Sequence, residues 1–324
     1  MYIQPFSESD SSAASQLFNQ YAGSDYLYKT MPEPAFRELF TVSSDRAVKI
    51  NLAARAGNDD FAGFASGCLV PGKEIGYVTF VLVDKAYRRQ GIGARLLAEL
   101  EAVMKAKTPL MKLQMIFFNP VALTWIVPGT PGHDHPNAPG VDVASDAYIF
   151  FKNQGYTDRV LQNSYYLPLD RFSIKPEVQA KMDALPQHDL SICFYDPAKH
   201  FGMEELLEDL GSDDWREQIL GNLARPDGGD PVIIAEHKGK VVGFTGPIRV
   251  QESGRGYFAG IGVHSQYRQY GLGKSLFSTL CQSLKNIGAG YMTLFTGETN
   301  PARRIYQSAG FKIVRTWSAM EKEI

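Results

Sequence analysis

Arg268-Gln269-Tyr270-Gly271-Leu272-Gly273 is the stretch on which the reading of this chain turns. An apolar run, Tyr257 to Val263, precedes it, and a helical pattern, Leu276 to Ile287, follows it. That order predicts strand, glycine-rich turn, helix. The first half repeats it: Tyr77 to Val83, then Arg88-Arg89-Gln90-Gly91-Ile92-Gly93, then Leu96 to Ala106. A loop repeated in the same context predicts a duplicated domain.

The chemistry of such a loop follows from its backbone. Two glycines allow a tight turn and let a ligand approach the amides closely. The first turn of the following helix leaves N–H groups without partners, and the helix dipole makes that end attractive to an anion. An adjacent arginine adds charge and a fork of donors suited to phosphate. Two other anion-binding motifs are excluded. Gly271-Leu272-Gly273-Lys274-Ser275 looks like the end of a nucleoside-triphosphate loop, but Arg268 stands where that motif needs its first glycine. A dinucleotide-binding fold needs its glycine loop after the first strand of a parallel unit, whereas this loop follows an antiparallel meander.

Working outward through the first half, Met1 to Pro5 reads as a strand. A helix capped at Ser9 or Asp10 runs through Gln20, and a second helix covers Pro34 to Phe40. Strands are expected over Val48 to Arg55, Phe61 to Leu69 and Glu74 to Val83, with turns at Asn58-Asp59-Asp60 and Pro71-Gly72-Lys73. After the glycine loop come a helix, Ala94 to Ala106, and a strand, Leu110 to Phe118, placed parallel to the strand before it by the crossover. The segment 119–144 is rich in proline and glycine and predicts neither helix nor central strand. His133-Asp134-His135 lies within it. Acceptor recognition and an ordinary solvent-exposed loop both stay open for this segment; no third metal ligand is identifiable, so no metal is expected. A helix from Asp146 to Asn153 ends at Gly155, and Tyr156 to Val160 and Ser164 to Leu169 read as closing strands.

The second half restarts at Leu190 to Tyr195. Helices follow at Met203 to Leu210 and Asp213 to Leu223, then strands at Val232 to Glu236, Lys240 to Val250 and Tyr257 to Val263. A helix to Asn286 and a strand from Tyr291 to Phe295 complete the parallel with the first half. The expected division is a first domain over 1–168, a linker over 169–188 with a short helix, and a second domain over 189–324. The length of 324 residues suits two domains.

With these residues in view, both halves resemble the GCN5-related N-acetyltransferase (GNAT) superfamily, in which an Arg/Gln-x-x-Gly-x-Gly/Ala loop follows the fourth strand. The second half also carries Asn300-Pro301-Ala302-Arg303-Arg304-Ile305-Tyr306 and then Gly310-Phe311, similar to a later motif of that family. The resemblance covers nearly the whole chain. It implies an α/β (α+β) fold of two tandem domains, each a mixed, mostly antiparallel sheet flanked by helices. It implies acetyl-CoA as the cofactor, its pyrophosphate held by the loop amides. The implied cofactor residues are Val83, Arg88, Arg89, Gln90, Gly91, Ile92 and Gly93 in the first half. In the second they are Ile261, Val263, Arg268, Gln269, Tyr270, Gly271, Leu272, Gly273 and Lys274, with Asn300, Arg303 and Tyr306 near the thioester. A backbone N–H of the fourth strand, at Gly262 or Val263, is implied to polarise the carbonyl.

The halves differ at the reacting end. Tyr306 stands four positions before Gly310, and Asn300 ten before it; the matching positions before Gly155 hold Phe151 and Ser145. Phe151 has no hydroxyl to donate. The resemblance therefore implies an N-acetyltransferase whose chemistry lies in the second half, with Tyr306 protonating the leaving coenzyme A thiolate. Glu298 is the candidate base, with Glu204, Glu236, Glu252 and His264 as others. Two further readings stay open, a catalytically silent acyl-CoA-binding sensor or scaffold, and an enzyme with both domains active.

Composition is consistent with this. The chain is 44% hydrophobic and 21% charged, with a formal net charge of -2 that gives no bulk attraction to nucleic acid or an anionic membrane. Three widely spaced cysteines, Cys68, Cys193 and Cys281, predict neither a disulfide framework nor a metal site and suit the cytoplasm. No signal peptide or bilayer-spanning run is read. The expected acceptor is a small-molecule amine; whether the protein is a monomer or a homodimer is not legible.

Overall fold

The structure is a computed structural model describing residues 1–324. Its elements, in order, are β1 (Tyr2–Pro5), α1 (Asp10–Tyr21), α2 (Glu33–Thr41), β2 (Val48–Arg55), β3 (Phe61–Leu69), β4 (Ile75–Val83), α3 (Ile92–Lys107) and β5 (Lys112–Met115). Then come β6 (Trp125–Ile126), β7 (Asp134–His135), β8 (Val141–Asp142), α4 (Asp146–Asn153), β9 (Thr157–Pro168), α5 (Pro176–Ala184), β10 (Leu190–Phe194), α6 (Met203–Leu210) and α7 (Asp213–Leu223). The remainder is β11 (Ile233–His237), β12 (Lys240–Gly246), β13 (Gly260–Val263), α8 (Leu272–Asn286), β14 (Tyr291–Gly297), α9 (Arg303–Ser308) and β15 (Lys312–Glu323). The chain forms two compact units, one of Met1–Asn163 with Arg315–Ile324, the other of Ser164–Val314.

In unit 1 the strand order is β1-β2-β3-β4-β5-β15-β9. β1 to β4 form an antiparallel meander, and β5 pairs parallel with β4, as its crossover predicts. Alternation along the strands feeds two cores. Ala65, Val78, Leu96, Leu100 and Met104 pack on the α3 face. Phe18, Phe36, Phe40, Phe64 and Phe80 pack with α1 and α2 on the other. A bulge makes this possible: Ser66 opposes Phe80 and Gly67 opposes Val78, leaving Thr79 unpaired with β3. Val78 thus faces α3, while Phe80 faces the aromatic cluster. The β4–β5 ladder spans only Ile75–Tyr77 against Lys112–Gln114. The two strands therefore part where the bulge begins.

β15 differs from its expected place. The reading by halves puts 189–324 in the second domain, whereas residues 315–324 belong to unit 1. There β15 pairs antiparallel with β5, Met320 opposite Met115, and buries Trp317, Ala319 and Met320. Buried Glu101 on α3 accepts from Tyr156 at 2.9 Å and from Lys322 of β15 at 2.8 Å. The two closing strands expected around 156–169 are one strand, β9, because nothing between Val160 and Ser164 breaks extended backbone.

The proline-glycine segment is also corrected. It is not a solvent-exposed loop: Trp125, Val127, Asp134, His135 and Val141 are buried. β6 and β7 form a two-stranded ladder, and β8 joins the sheet through β15. The prolines at 128, 131, 136 and 139 all fall outside these two-residue strands. Asp134 is ion-paired with Lys29 at 2.7 Å, and the His135 ring stacks with Trp125 at 6.1 Å. Burial lowers the pKa of His133 despite the neighbouring Asp134 carboxylate.

In unit 2, β10-β11-β12-β13 is an antiparallel sheet. α8 packs its Leu276, Phe277, Leu280 and Leu284 into the main core. β12 stops at Gly246, not Val250: Gly246 has φ 114°, and Pro247 has no N–H to extend the ladder. β13 begins only at Gly260, where the α7 indole of Trp215 lies so close that a side chain would collide with it. β14 forms no ladder with β13; a single parallel bridge, Arg255 to Tyr291, joins their approaches. The segment 169–188 is packed, with Leu169, Phe172 and Leu185 in the core of unit 2 and Val178 also buried.

Candidate active site

Each unit holds its glycine loop in the same way. In unit 1 the backbone leaves β4 through Asp84, whose side chain accepts from Ala86 N at 2.8 Å. In unit 2 it leaves β13 through His264, whose Nδ1 accepts from Gln266 N at 3.2 Å, while Asp209 accepts from Ser265 N at 2.9 Å. Gly91 and Gly271 then take left-handed conformations, φ 77° and φ 72°, and each starts a helix. Such values favour glycine. In the first loop the amides of Ile92, Gly93 and Ala94 have no acceptor; in the second the same holds for Leu272 and Gly273. These are free donors where an anion would sit.

The two arginines brace the loops. Arg88 Nε donates to the Val83 carbonyl at 2.8 Å, and Arg268 Nε to the Val263 carbonyl at 3.3 Å. Arg88 is further committed: Nη1 meets Asp25 at 2.7 Å, and its guanidinium lies 4.9 Å from the Tyr21 ring. Lys85 also meets Asp25 at 2.7 Å. Burial would raise the Asp25 carboxyl, but the hydrogen bonds from Lys85 and Arg88 outweigh it and hold the group below the usual carboxylate range. Arg268 is exposed and has no carboxylate partner. Arg89, Gln90 and Gln269 are exposed too, while Tyr270 and Lys274 are half-buried. Asp25 lies far from Arg88 in sequence, and no local pattern announces the pair.

The strand edges beside the loops are open. His264 N donates to Val242 O at 2.9 Å, so the alternation of an antiparallel strand turns the amides of Val263 and Ile261 away from β12, toward the side where β13 has no ladder. Asp84 N donates to Ala62 O at 2.9 Å in the matching position of unit 1. There a cleft of about 950 Å³ runs from Gly91 and Gly93 along Val81 and Val83 to Asn119 and Asp142. Asn119 donates to the bulge residue Thr79 at 3.1 Å, and Arg315 holds Asp142 at 2.7 Å.

The residues expected at the reacting end divide. Tyr306 is 5% exposed, with its ring 5.0 Å from Phe277, 5.8 Å from Tyr165 and 6.1 Å from Phe258. Its hydroxyl has no hydrogen-bond partner, and burial pushes its pKa far above the ordinary tyrosine value. The preceding Ile305 reaches the loop: a methyl group on Gly273 would stand 3.0 Å from Ile305 Cδ1. Asn300 is exposed and uses Oδ1 to accept from Ala302 N at 2.9 Å, an N-terminal brace for α9. Arg303 and Glu298 are exposed. Among the other carboxylates, Glu236 accepts from Ser191 and Gly239 within a hairpin, Glu204 pairs with Arg216, and Glu252 is exposed. In unit 1, Phe151 is buried against Tyr156, and the Ser145 hydroxyl donates to the Asp142 carbonyl at 2.7 Å.

This paired arrangement is that of acetyltransferases built on a splayed sheet and a glycine loop. The acetyltransferase (GNAT) family model matches residues 14–120 and 188–311, and the chain belongs to that family. Solved structures agree in fold. One is a GCN5-related glucosamine N-acetyltransferase region of a fungal multi-domain GH3 β-N-acetylglucosaminidase: 15% identity, TM-score 0.71, covering 99% of this chain and 38% of that one. The GCN5-related N-acetyltransferase from Sphaerobacter thermophilus gives 15% identity and TM-score 0.64, covering 99% and 95%. A tandem GNAT protein from the clavulanic acid biosynthesis pathway gives 15% and 0.60, covering 99% and 98%. No curated protein sequence matches the chain significantly. The fold is thus one that supports acyl transfer from acetyl-CoA, the cosubstrate of the family. No helix is long and apolar enough to cross a membrane.

Proposed function

We propose that the protein is an N-acetyltransferase that moves an acetyl group from acetyl-CoA to a primary amine of a small molecule, with the chemistry in unit 2. The observation that carries this reading is the pairing of an amide-lined glycine turn with a neutral, unbonded phenol one residue beyond Ile305, which abuts the turn. When bound, acetyl-CoA supplies the thioester. The amides of Leu272 and Gly273 hold its pyrophosphate, with Arg268 bracing the turn against Val263. Glu298, directly or through water, takes the proton that an ammonium acceptor must lose. The free amine nitrogen attacks the carbonyl carbon, and the Val263 N–H stabilises the oxygen as it becomes negative. The carbon–sulfur bond then breaks, Tyr306 donates its proton to the departing thiolate, and the nitrogen sheds the extra proton it gained on attack, which restores the phenol directly or through water. Burial keeps the phenol protonated until the thiolate forms beside it. Tyr306→Phe tests the assignment: thiol release with an amine panel should fall while coenzyme A affinity holds, and unchanged turnover overturns Tyr306 as the acid.

A second reading concerns unit 1, which we propose binds acyl-CoA without turning it over. Phe151 occupies the position matching Tyr306 and offers no proton. Calorimetric stoichiometry tests it: two equivalents of coenzyme A bound per chain, with turnover abolished only by changes in unit 2, is the expected result.

A further inference from the structure

The two glycine turns share one backbone geometry but not one environment. A methyl group on Gly91 would meet no atom within 4 Å. One on Gly271 would stand 3.4 Å from Lys181 Cδ and 3.7 Å from Lys181 Nζ. Lys181 lies on α5, outside the stretches 14–120 and 188–311 that the family model matches.

Its placement follows from the sequence of that helix. Pro176 occupies the first turn, where its missing N–H costs nothing. Val178 is buried, and Leu185, just past the end of α5, lies in the unit 2 core that α8 also fills. Lys181 is three residues beyond Val178 and four before Leu185, so it falls on the same stripe of the helix. Burial of that stripe delivers the lysine to the first turn of α8. The following turn makes a second contact, His188 lying 4.9 Å from the ring of Tyr270. Lys181 is exposed and makes neither an ion pair nor a hydrogen bond through Nζ. The first cradle differs: its Lys85 and Arg88 are both paired with Asp25.

We propose that Lys181 is a specificity-determining residue of the second cradle, its ammonium closing over the loop amides to bind the pyrophosphate of the cofactor. The inference rests on the proposed acetyl-CoA reading. A lysine acts here as a point charge on a flexible stem, suited to following a dianion without fixed fork geometry. It gives the second cradle a cation from a neighbouring helix, with no counterpart beside Gly91, where the unpaired cation is the loop's own Arg89 and the second loop has Gln269; the two sites are thus unequal in where their charge comes from.

The test uses the full chain carrying Gly91→Asp, which sets a carboxylate in the first cradle at a left-handed position that aspartate tolerates. Coenzyme A binding is then measured by calorimetry for Lys181→Gln, Lys181→Glu and Lys181→Arg. Lys181→Gln should weaken binding about five- to tenfold at low salt, Lys181→Glu more, and Lys181→Arg should restore it. Dephospho-coenzyme A, which keeps the pyrophosphate, should show the same losses. A loss confined to coenzyme A would place Lys181 on the 3′-phosphate and overturn the pyrophosphate assignment. Equal affinity in Lys181→Glu, with binding intact on the Gly91→Asp background, overturns the inference alone. No binding on that background removes the second cradle, and with it both the inference and the reading it rests on.

Discussion

Arg88 donates its Nε proton to the carbonyl oxygen of Val83 at 2.8 Å, tying the glycine turn to the last residue of the strand before it. Val263 and Arg268 repeat the tie at 3.3 Å. The family's loop arginine therefore braces backbone in both units. Arg88→Ala should weaken coenzyme A binding at the first loop by loosening the amides, and should also lower stability by about 1–2 kcal/mol, since Asp25 loses one of its two cations. Arg268→Ala should affect binding with little change in stability, because Arg268 is exposed and unpaired. Chemical denaturation beside calorimetry separates the two effects.

Asp25 gives the first loop a pH signature. Its folded-state pKa lies below the ordinary 3.8, so its pairing stabilises the protein above that value and is lost as pH falls through the depressed folded value. Asp25→Asn should lower the melting temperature near neutral pH and flatten the acid limb below 3.8. Equal acid limbs in the two proteins would remove Asp25 as the group responsible.

Tyr306 permits a dissection of ring from hydroxyl. Tyr306→Phe keeps the packing against Phe277 and should cost little stability while lowering turnover about a hundredfold. Tyr306→Ala empties a buried ring position and should destabilise unit 2 by about 3–5 kcal/mol. Melting curves alongside single-turnover rates distinguish them.

Gly271→Val combines two penalties. A β-branched side chain is forced to φ 72°, costing about 1–2 kcal/mol, and it enters the space beside Lys181. Coenzyme A affinity at the second loop should fall, and the melting temperature should drop with it. Unchanged affinity would count against the second cradle.

Glu101 makes β15 testable. Lys322→Met leaves the buried carboxylate with Tyr156 as its remaining side-chain partner and should cost about 1–3 kcal/mol in unit 1. Denaturation followed by Tyr156→Phe in the same background reads the coupling between the two.

What could be read from the sequence was what repeats locally. α4, α6 and α7 fall where helical spacing and caps place them, and both glycine turns announce themselves by composition. What escaped depends on distant partners. Asp25 carries no mark of Arg88, and Lys181 lies in what reads as a linker. The Trp125–Val143 stretch looks loop-like because proline and glycine dominate it, but its buried side chains sit between the breakers. Thr79 is an ordinary β residue in sequence; only the pairing of Ser66 and Gly67 with Phe80 and Val78 reveals the bulge at which β4 and β5 part. The ambition of Glu298, Asn300 and Tyr306 as one constellation is likewise a matter of space: Asn300 is spent on the start of α9, whereas Tyr306 keeps its hydroxyl free.

Because residues 315–324 complete unit 1, that unit is synthesised in two instalments with all of unit 2 between them. A ribosome therefore releases the first instalment with the edge of β5 still open, and holds it so until the second arrives. During that interval an exposed strand edge invites foreign pairing. The same wiring forbids cutting the gene at the boundary between the halves: a fragment ending at 163 lacks Trp317, Met320 and Lys322, and supplying residues 315–324 as a separate peptide is the direct way to restore it.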